Sequence, residues 1–337
     1  MSEDVHKIGF WSVLSIVISS QVGSGVLMLP SHLAPFGMYG FAGWLISGCG
    51  AIALSLIFAI LCAHFPKTGG PHVYVREAFG SACGFFTGWT YWVISWVATS
   101  AVVIASIGYL SPFLLGYGQY ANLTCELLLV AILTWLNLRG LKVSGYTEFT
   151  LTILKVIPLL ILPIIALYFF DSSNIKLDEA ISSSMDIHEI LGQTTLLTLW
   201  GFVGLECATA PAEFVKNPNR TIPAAIILGT TFVLLIYVIN CLGIMGIIPS
   251  DQLAMSDAPY VEATLYLFGG NWSLLISVIS SIICISSLNA WMLTSGQIAL
   301  GLAQDKLMPK IFLSKNKNLA PSNGIIISNL GSTILIV

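Results

Sequence analysis

The sequence predicts an all-α integral membrane protein, and three observations lead to this fold class. Of the 337 residues, 56% are hydrophobic and only 9% are charged, whereas about 25% are charged in typical soluble domains. Each long uncharged stretch has room for one or two crossings, because a helix needs about 20 apolar residues to cross the bilayer. These stretches, without Asp, Glu, Lys or Arg, cover residues 8–66, 78–125, 221–250 and 263–304.

Clusters rich in Pro, Gly and polar residues divide the chain into nine predicted spans. The first span is too long for a cleavable signal peptide and lacks a small-residue cleavage site, so we expect it in the mature protein. The last one ends at Val337 without a polar flank. We therefore expect a C-terminally truncated chain, the alternative being a natural nine-helix protein whose last helix stops at the far membrane face. The spans lie near residues 11–33, 40–65, 83–112, 122–138, 147–170, 190–214, 224–248, 271–303 and 322–337.

The basic residues predict the orientation of the chain. Of the 13 Lys and Arg residues, all but Lys176 and Lys155 fall in the N-terminal tail or in alternate loops. Cytoplasmic loops carry an excess of Lys and Arg, so we predict a multi-pass protein of the cytoplasmic (inner) membrane with a cytoplasmic N-terminus.

Metal, redox and enzyme chemistry find little support in the sequence. The seven cysteines form no Cys-x-x-Cys pair, and the five histidines lie near span ends or in loops without ligand spacing. A membrane enzyme, which would need acid, base or metal ligands converging at one depth, remains the alternative class. We expect no catalytic residues, no metal, no cofactor and no nucleic-acid partner.

A helix break is predicted in the first span, within SSQVGSGVLMLP (19–30). Glycine tolerates non-helical angles and the proline at position 30 removes a backbone donor. An unpaired backbone group in hydrocarbon costs several kcal/mol, so a break indicates that protein or cavity water satisfies the freed groups. The alternative is that these glycines serve close helix packing. The predicted binding residues are Gln21, Val22, Gly23, Ser24 and Gly25.

The sixth span repeats this pattern in WGFVGLECATAP (200–211), where Gly201 and Gly204 precede Pro211. N–H groups freed at the first break suit a carboxylate, because a helix N-terminus carries partial positive charge. Carbonyls freed at the sixth span, and at Gln21 or Val22, suit an ammonium. The predicted binding residues of the sixth span are Trp200, Gly201, Phe202 and Val203.

Four motifs occur in a fixed order and carry a family resemblance. Together they resemble the amino acid-polyamine-organocation transporters, and most closely the bacterial basic amino acid/polyamine antiporters typified by the arginine/agmatine exchanger. The resemblance covers nearly the whole chain, although His72 stands where family members often have an aromatic residue. The motifs are GSGVLMLP (23–30), FPKTGGPHVYVREAFG (65–80), LWGFVGLECA (199–208) and EFVKNPNRTIPAA (213–225).

The resemblance implies two five-helix repeats of opposite topology, with discontinuous helices 1 and 6 and an incomplete second repeat. Residues 1–170 are expected to form the first repeat and 190–337 part of the second. Paired interruptions of corresponding helices mark the substrate site of such transporters. The implied function is secondary active transport of an amino acid or polyamine by alternating access, as an antiporter or proton-coupled permease, with a homodimer as one assembly. The alternative is a truncated inactive remnant or half of a split transporter gene.

Aromatic and hydroxyl side chains complete the expected pocket. In the family, aromatics at the positions of Trp200 and Trp291 close over or stack on the substrate, which favours cationic substrates. Tyr91, Ser95 and Thr99 form a polar stripe at four-residue spacing in the third span. We expect Ser95 and Thr99 to contact the substrate side chain, although Thr99 replaces an amide found in the arginine exchanger.

Lys155 and Glu206 lie deep in predicted spans, and intramembrane ionisable residues are functional candidates. Lys155 resembles a lysine that some proton-coupled members carry where sodium-coupled relatives bind their ion. We predict that protonated Lys155 braces the unwound part of the first span and that its deprotonation couples protons to transport. Glu206 either shares this coupling role or bonds backbone groups between helices.

Overall fold

The computed structural model describes residues 7–118, 120–270 and 272–337, and most of them are helical. Fifteen α-helices occur in this described part. They are α1 (Phe10–Gln21), α2 (Ser24–Leu33), α3 (Tyr39–His64), α4 (Pro71–Phe79), α5 (Ser81–Gly108), α6 (Ser111–Leu114), α7 (Ala121–Leu138), α8 (Leu141–Tyr168), α9 (Glu179–Ser184), α10 (Ile187–Leu199), α11 (Pro218–Ile247), α12 (Ser250–Ala254), α13 (Pro259–Phe268), α14 (Trp272–Gln304) and α15 (Ser322–Ile336).

Seven helical segments of the described chain are long and apolar enough to cross a membrane. Six are single helices (α3, α5, α7, α8, α11 and α14), and the seventh runs from α10 through Thr209. Helices α1 and α2 form an eighth span that is bent by 41°. The ninth predicted span is the apolar helix α15, whose 15 residues fall short of the roughly 20 that a crossing needs. Eight of the nine predicted spans thus have the length and composition of a crossing.

The fifth span begins earlier than the sequence predicted, at Leu141 rather than near residue 147. Lys155 is therefore fourteen residues into the helix, or about 21 Å from its start at 1.5 Å per residue. A start near residue 147 would have placed Lys155 only about 12 Å into the span, but the polar residues after Gly140 belong to the helix rather than to a loop. Lys155 is fully buried at the middle of the span.

Helix α1 lies at the centre of the bundle, where it packs against α8, α11 and α14. Val13, Ile16 and Val17 are completely buried. By contrast, α3 exposes large apolar side chains such as Leu54, Ile57 and Ile60. A helix that is apolar on its outward face and packed on the other suits a bundle surrounded by lipid.

One end of the bundle, called here the basic end, consists of residues 7–9, 65–80, 139–142, 210–220 and 304–320. Backbone contacts close it: Ile8 N–H donates to Phe214 O at 2.9 Å, and Gly69 N–H donates to Ala210 O at 2.9 Å. Asp305 contacts both His72 and Arg76. The segment before the first span is thereby joined to the segment after the sixth, which in turn is joined to the loop before α4.

The opposite end is held by the loop between α8 and α10. Asp178 N–H donates to Pro35 O at 2.9 Å, and Asp171 N–H donates to Gly246 O at 2.8 Å. Asp186 begins α10 with a capping box that it forms with Glu189. The two halves of the first span therefore connect to different loops at the two ends of the bundle.

The close packing of α3 leads us to expect different effects on stability from alanine at two glycines of that helix. A Cβ added to Gly43 would lie 2.7 Å from the Thr194 backbone, whereas a Cβ on Gly50 meets nothing within 4 Å. Gly43→Ala should lower the free energy of unfolding by about 1–3 kcal/mol through overpacking. Gly50→Ala, in the same helix, should leave stability unchanged or raise it slightly, because alanine is the better helix former.

Thermal unfolding of the purified protein in detergent measures both variants. Equal melting temperatures for the two variants would contradict the packing of α3 against α10.

Candidate functional site

The first span is broken where the sequence predicted it. Helix α1 ends at Gln21 and α2 begins at Ser24, with Val22 and Gly23 outside both helices. Neither Gly23 nor Gly25 has a positive φ. A Cβ on Gly23 would lie 2.9 Å from Ser287 Oγ, and one on Gly25 would lie 2.5 Å from the Trp200 ring. Gly23 has the non-helical backbone angles that we expected, with φ −127° and ψ −145°, whereas Gly25 lies within α2, and both glycines allow the close approach of neighbours.

The sixth span is also interrupted. Helix α10 ends at Leu199, a 3₁₀ turn covers Trp200–Phe202, and Val203 is extended. Gly204 has a φ of +108°, which favours glycine, and a Cβ there would lie 2.8 Å from Ser20 O. The two breaks therefore touch each other directly.

Side chains from three helices take up the carbonyls freed at the first break. Lys155 Nζ donates to Val22 O at 2.8 Å and lies 3.4 Å from Ser19 O. Trp291 Nε1 donates to Ser20 O at 3.1 Å. The Gln21 carbonyl accepts from the Tyr237 hydroxyl at 2.9 Å. These carbonyls thus already have protein donors, and an ammonium could use only their second lone pairs.

Tyr237 links the two breaks. Its hydroxyl lies 2.9 Å from Gln21 O and 3.0 Å from Gly201 O, and its ring stacks on Trp44 with centroids 4.6 Å apart. The side chain is buried. No sequence signal distinguished it from other core tyrosines, so our sequence reasoning missed it.

A cavity of about 160 Å³ lies between the two breaks. Walls come from the first span, α5, the sixth span and α14. Nine of the predicted binding residues line it: Gln21, Gly23, Ser24, Gly25, Thr99, Trp200, Gly201, Val203 and Trp291. The remaining lining residues, which the sequence did not single out, are Ser20, Ile94, Ala98, Val102, Ser287 and Leu288.

Three predicted binding residues lie outside this lining. Val22 is completely buried and presents its carbonyl to Lys155. Ser95 is buried, and its hydroxyl donates to Trp92 O at 2.6 Å. Phe202 is buried with its ring edge-on to Trp44 and Tyr237.

Glu206 bridges the third and sixth spans. Its Oε1 accepts from the Tyr91 hydroxyl at 2.8 Å, and its Oε2 accepts from Gly204 N–H at 3.2 Å. The carboxyl group thus holds the unwound backbone after Val203 and does not line the cavity.

A third deep ionisable residue, Glu148, is completely buried on α8. Our sequence reasoning missed it, although it precedes Lys155 by seven residues. Residues seven apart lie on the same face of a helix, two turns from each other. That spacing was the available signal.

No group of His, Cys, Asp or Glu in the described residues could hold a metal ion.

The sequence profile of the amino acid permease family matches residues 8–337. This chain belongs to the amino acid permease family. It is 33% identical over 336 residues to the cadaverine/lysine antiporter of Escherichia coli K12, covering 98% of this chain and 74% of the relative. It is 30% identical to the putrescine transporter of Haemophilus influenzae (99% and 77% covered) and 28% identical to the arginine/ornithine antiporter of Pseudomonas aeruginosa (99% and 71%).

Solved structures of transporters share the fold of this permease. A Na⁺-coupled sialic acid symporter aligns with a TM-score of 0.69 at 10% identity, covering 98% of this chain and 74% of the other. A nucleobase-cation-symport-1 family transporter aligns with a TM-score of 0.65 at 13% identity, with 98% and 72% covered. The predicted family, the inverted-repeat transporter fold and the absence of enzyme function are confirmed. The permease is a secondary transporter and a multi-pass inner membrane protein.

Tyr237 provides a test of how the two breaks are held together. Tyr237→Phe removes the hydroxyl that lies within hydrogen-bond distance of two buried carbonyls and supplies one hydrogen to them. The substitution should lower the free energy of unfolding by about 1–3 kcal/mol. The control is Tyr168→Phe, since the Tyr168 side chain is exposed.

Thermal unfolding in detergent measures both variants of the permease. If the two variants had the same melting temperature, the Tyr237 hydroxyl would not be the group that connects the two breaks.

Proposed function

We propose that this chain exchanges amino acids or polyamines across the inner membrane by alternating access, with the substrate in the cavity between the two breaks. The observation that carries the proposal is that both interruptions of the first and sixth spans face one cavity. Corresponding interrupted helices mark the substrate site of inverted-repeat transporters. The relatives named above are antiporters and transporters of basic amino acids and diamines.

The N-terminus of α2 is the proposed carboxylate site. No side chain caps this helix. Gly23, Ser24 and Gly25 all line the cavity. The first N–H groups of a helix lack internal acceptors and carry partial positive charge, so they favour an anion. An amino acid substrate would use this site, whereas a diamine has no carboxylate to place there.

Two tryptophans and the backbone carbonyls near the breaks are the proposed site of the positive charges. Trp200 and Trp291 line the cavity, together with the backbone at Ser20, Gln21 and Gly201. A tryptophan face within about 6 Å of a cation contributes roughly 0.5–2 kcal/mol. The second lone pairs of the carbonyls accept ammonium hydrogens. Thr99 is the polar residue on the α5 wall and contacts the substrate side chain in this proposal.

Alternating access requires the basic end to open. The contacts of Ile8 with Phe214, of Gly69 with Ala210, and of Asp305 with His72 close that end. In our proposal the basic end faces the cytoplasm, following the excess of Lys and Arg in its loops. Residues 1–170 and 190–337 are the proposed repeat units. The protein works as a monomer or as a homodimer in this proposal.

Lys155 is the proposed coupling residue. Its ammonium bonds the main chain at Ser19 and Val22 and so holds the break from the side of α8. A neutral amine has fewer hydrogens to donate and no charge to attract the carbonyl dipoles. Loss of the proton therefore weakens the tie between α8 and the first span, which links the proton to the conformational cycle. Glu206 serves a supporting role, because its carboxyl group holds the sixth-span break.

Uptake by the purified chain tests the proposed function. Proteoliposomes loaded with unlabelled lysine should take up labelled lysine, arginine, ornithine, cadaverine or putrescine in exchange. Gly25→Val should weaken substrate affinity at least about tenfold, or ~1.4 kcal/mol, because its side chain would occupy the space of the Trp200 ring and the cavity. Gly108→Val is the control, since a Cβ on Gly108 meets nothing within 4 Å.

Absence of exchange for all five compounds by the folded wild-type protein would contradict the proposal. So would equal affinities for the Gly25 and Gly108 variants.

Lys155→Gln tests the coupling role. Glutamine keeps hydrogen-bond donors but cannot gain a proton, so uptake by this variant should no longer respond to an imposed pH gradient. The matched control is Lys142→Gln on the same helix, because Lys142 is exposed near the start of α8. Uptake by Lys155→Gln that followed the gradient as in the wild type would refute the coupling role.

A further inference from the structure

Glu148 lies about 11 Å into α8, between the basic end and Lys155, at 1.5 Å per residue. It is completely buried and does not line the cavity. Its Oε1 lies 3.1 Å from Ser286 Oγ, and its Oε2 lies 2.5 Å from Asn289 Nδ2. Neither Lys155 nor another basic side chain of the described residues forms an ion pair with it. A buried carboxyl group without a counter-ion needs an explanation.

Two further hydroxyl groups continue the contact from Ser286. Ser286 Oγ lies 3.0 Å from Ser19 Oγ, and Ser19 Oγ lies 2.7 Å from Thr152 Oγ1. Thr152 donates to the main-chain oxygen of Glu148 at 2.7 Å. The chain of contacts thus leaves the Glu148 side chain, passes through α14 and α1, and returns to the Glu148 backbone.

An ionised Glu148 would accept a hydrogen from Ser286, but a chain in which all four contacts are hydrogen bonds requires a different direction for this contact. A carbonyl oxygen only accepts, so the Thr152 proton is used on Glu148 O. Ser19 must then donate to Thr152, and Ser286 must donate to Ser19, since each hydroxyl has one hydrogen. Ser286 has no hydrogen left for Glu148 Oε1. Three hydroxyl hydrogens serve three of the four contacts, and the fourth hydrogen must come from the carboxyl group.

The other carboxyl oxygen is fixed as an acceptor. Asn137 Nδ2 donates to Leu133 O at 2.9 Å, which orients the Asn137 amide. The same Nδ2 faces Asn289 Oδ1 at 3.1 Å. Asn289 therefore presents its Nδ2 to Glu148, and Oε2 accepts. The position for a proton is Oε1, facing Ser286.

We propose that Glu148 is a proton-binding site of this transporter and that its carboxyl group is protonated in the conformation described here. The protonated acid completes a ring of four hydrogen bonds that ties α1, through Ser19, to α8 and α14. Its coupling role rests on the transport function proposed above, whereas proton binding itself does not.

Release of the proton opens this ring. The proton leaves Oε1 and passes to water at the basic end, which leaves a carboxylate facing the Ser286 oxygen with one hydrogen too few. If Ser286 turns its hydrogen to the carboxylate, Ser19 loses its donor. The titratable group that acts on Glu148 is Lys155 on α8, and Lys155 has the Cys284 thiol of α14 as a second titratable neighbour. From α1 only hydroxyl and carbonyl groups reach Glu148, and from α7 the Asn137 amide reaches it through Asn289.

Lys155 and Glu148 can exchange a proton without a net change of charge. Once Glu148 has released its proton to water, the Lys155 ammonium can give up a proton and the Glu148 carboxylate can gain it, so that a pair of opposite charges becomes an amine and an acid. Both residues tie α8 to α1, Lys155 through Ser19 O and Val22 O and Glu148 through the Ser19 hydroxyl. The proton thus moves from Lys155, which bonds the backbone at the break, to Glu148, which lies nearer the basic end.

Infrared spectroscopy of the reconstituted full chain tests proton binding directly. The wild type should show the C=O stretching band of a protonated carboxylic acid, shifted by H₂O-to-D₂O exchange, and Glu148→Gln should lose it. A glutamine amide can still donate to Ser286, so this variant should fold. The matched control is Glu126→Gln, a buried carboxyl group on α7 outside this cluster, which should retain the band assigned to Glu148.

Ser286→Ala provides a second readout if the glutamine variant misfolds. It removes the acceptor of the proposed proton and should shift the frequency of the band in a folded protein. A wild-type spectrum without the band, or a band that neither variant changes, overturns the proposal.

Uptake measured in the same samples separates the two proposals. Glu148→Gln should lose the pH-dependent component of exchange. A protein that shows the Glu148 band but transports nothing keeps the proton site and contradicts the proposed function. A protein that transports but lacks the band contradicts the proton site alone.

Discussion

The arrangement of this bundle depends on how the backbone of the first span is satisfied where its helix stops. In hydrocarbon an unpaired carbonyl costs several kcal/mol. Three side chains meet that demand at residues 19–22, coming from α8, α11 and α14. Each donor must stand at a fixed depth and angle, so the break determines how these helices pack around α1.

The sequence located this break because glycines and a proline are unusual inside an apolar span. It located the second break for the same reason, and nine of its twelve binding residues line the cavity. The role of these glycines was only partly predicted, since Gly23 has the expected non-helical angles but Gly25 is helical, and both glycines also make room for neighbours, Ser287 and Trp200. Close approach between distant parts of the chain cannot be read from local composition.

The residues that escaped prediction are those whose roles depend on partners far along the chain. Tyr237 contacts residues 216 and 36 positions away. Glu148 depends on Ser286 and Asn289, more than 130 positions away. Only its spacing from Lys155 was visible, because helical periodicity is local. The same limit explains Ser95 and Phe202, whose spans were predicted but whose orientation within the bundle was not.

Two ties of different chemistry connect α8 to the first span, and their positions give them different consequences. The Lys155 ammonium bonds main-chain carbonyls that lack an intrahelical donor because the helix is interrupted. The Ser19 hydroxyl belongs to regular helix, so its bonds with Thr152 and Ser286 orient α1 as a rigid rod. In the proposed cycle, loss of the first tie frees the hinge, and loss of the second frees the half-helix whose preceding residue Ile8 closes the basic end. Separation of the whole of α1 from α8 then requires the loss of both ties, because a helix held at one point can only pivot about it.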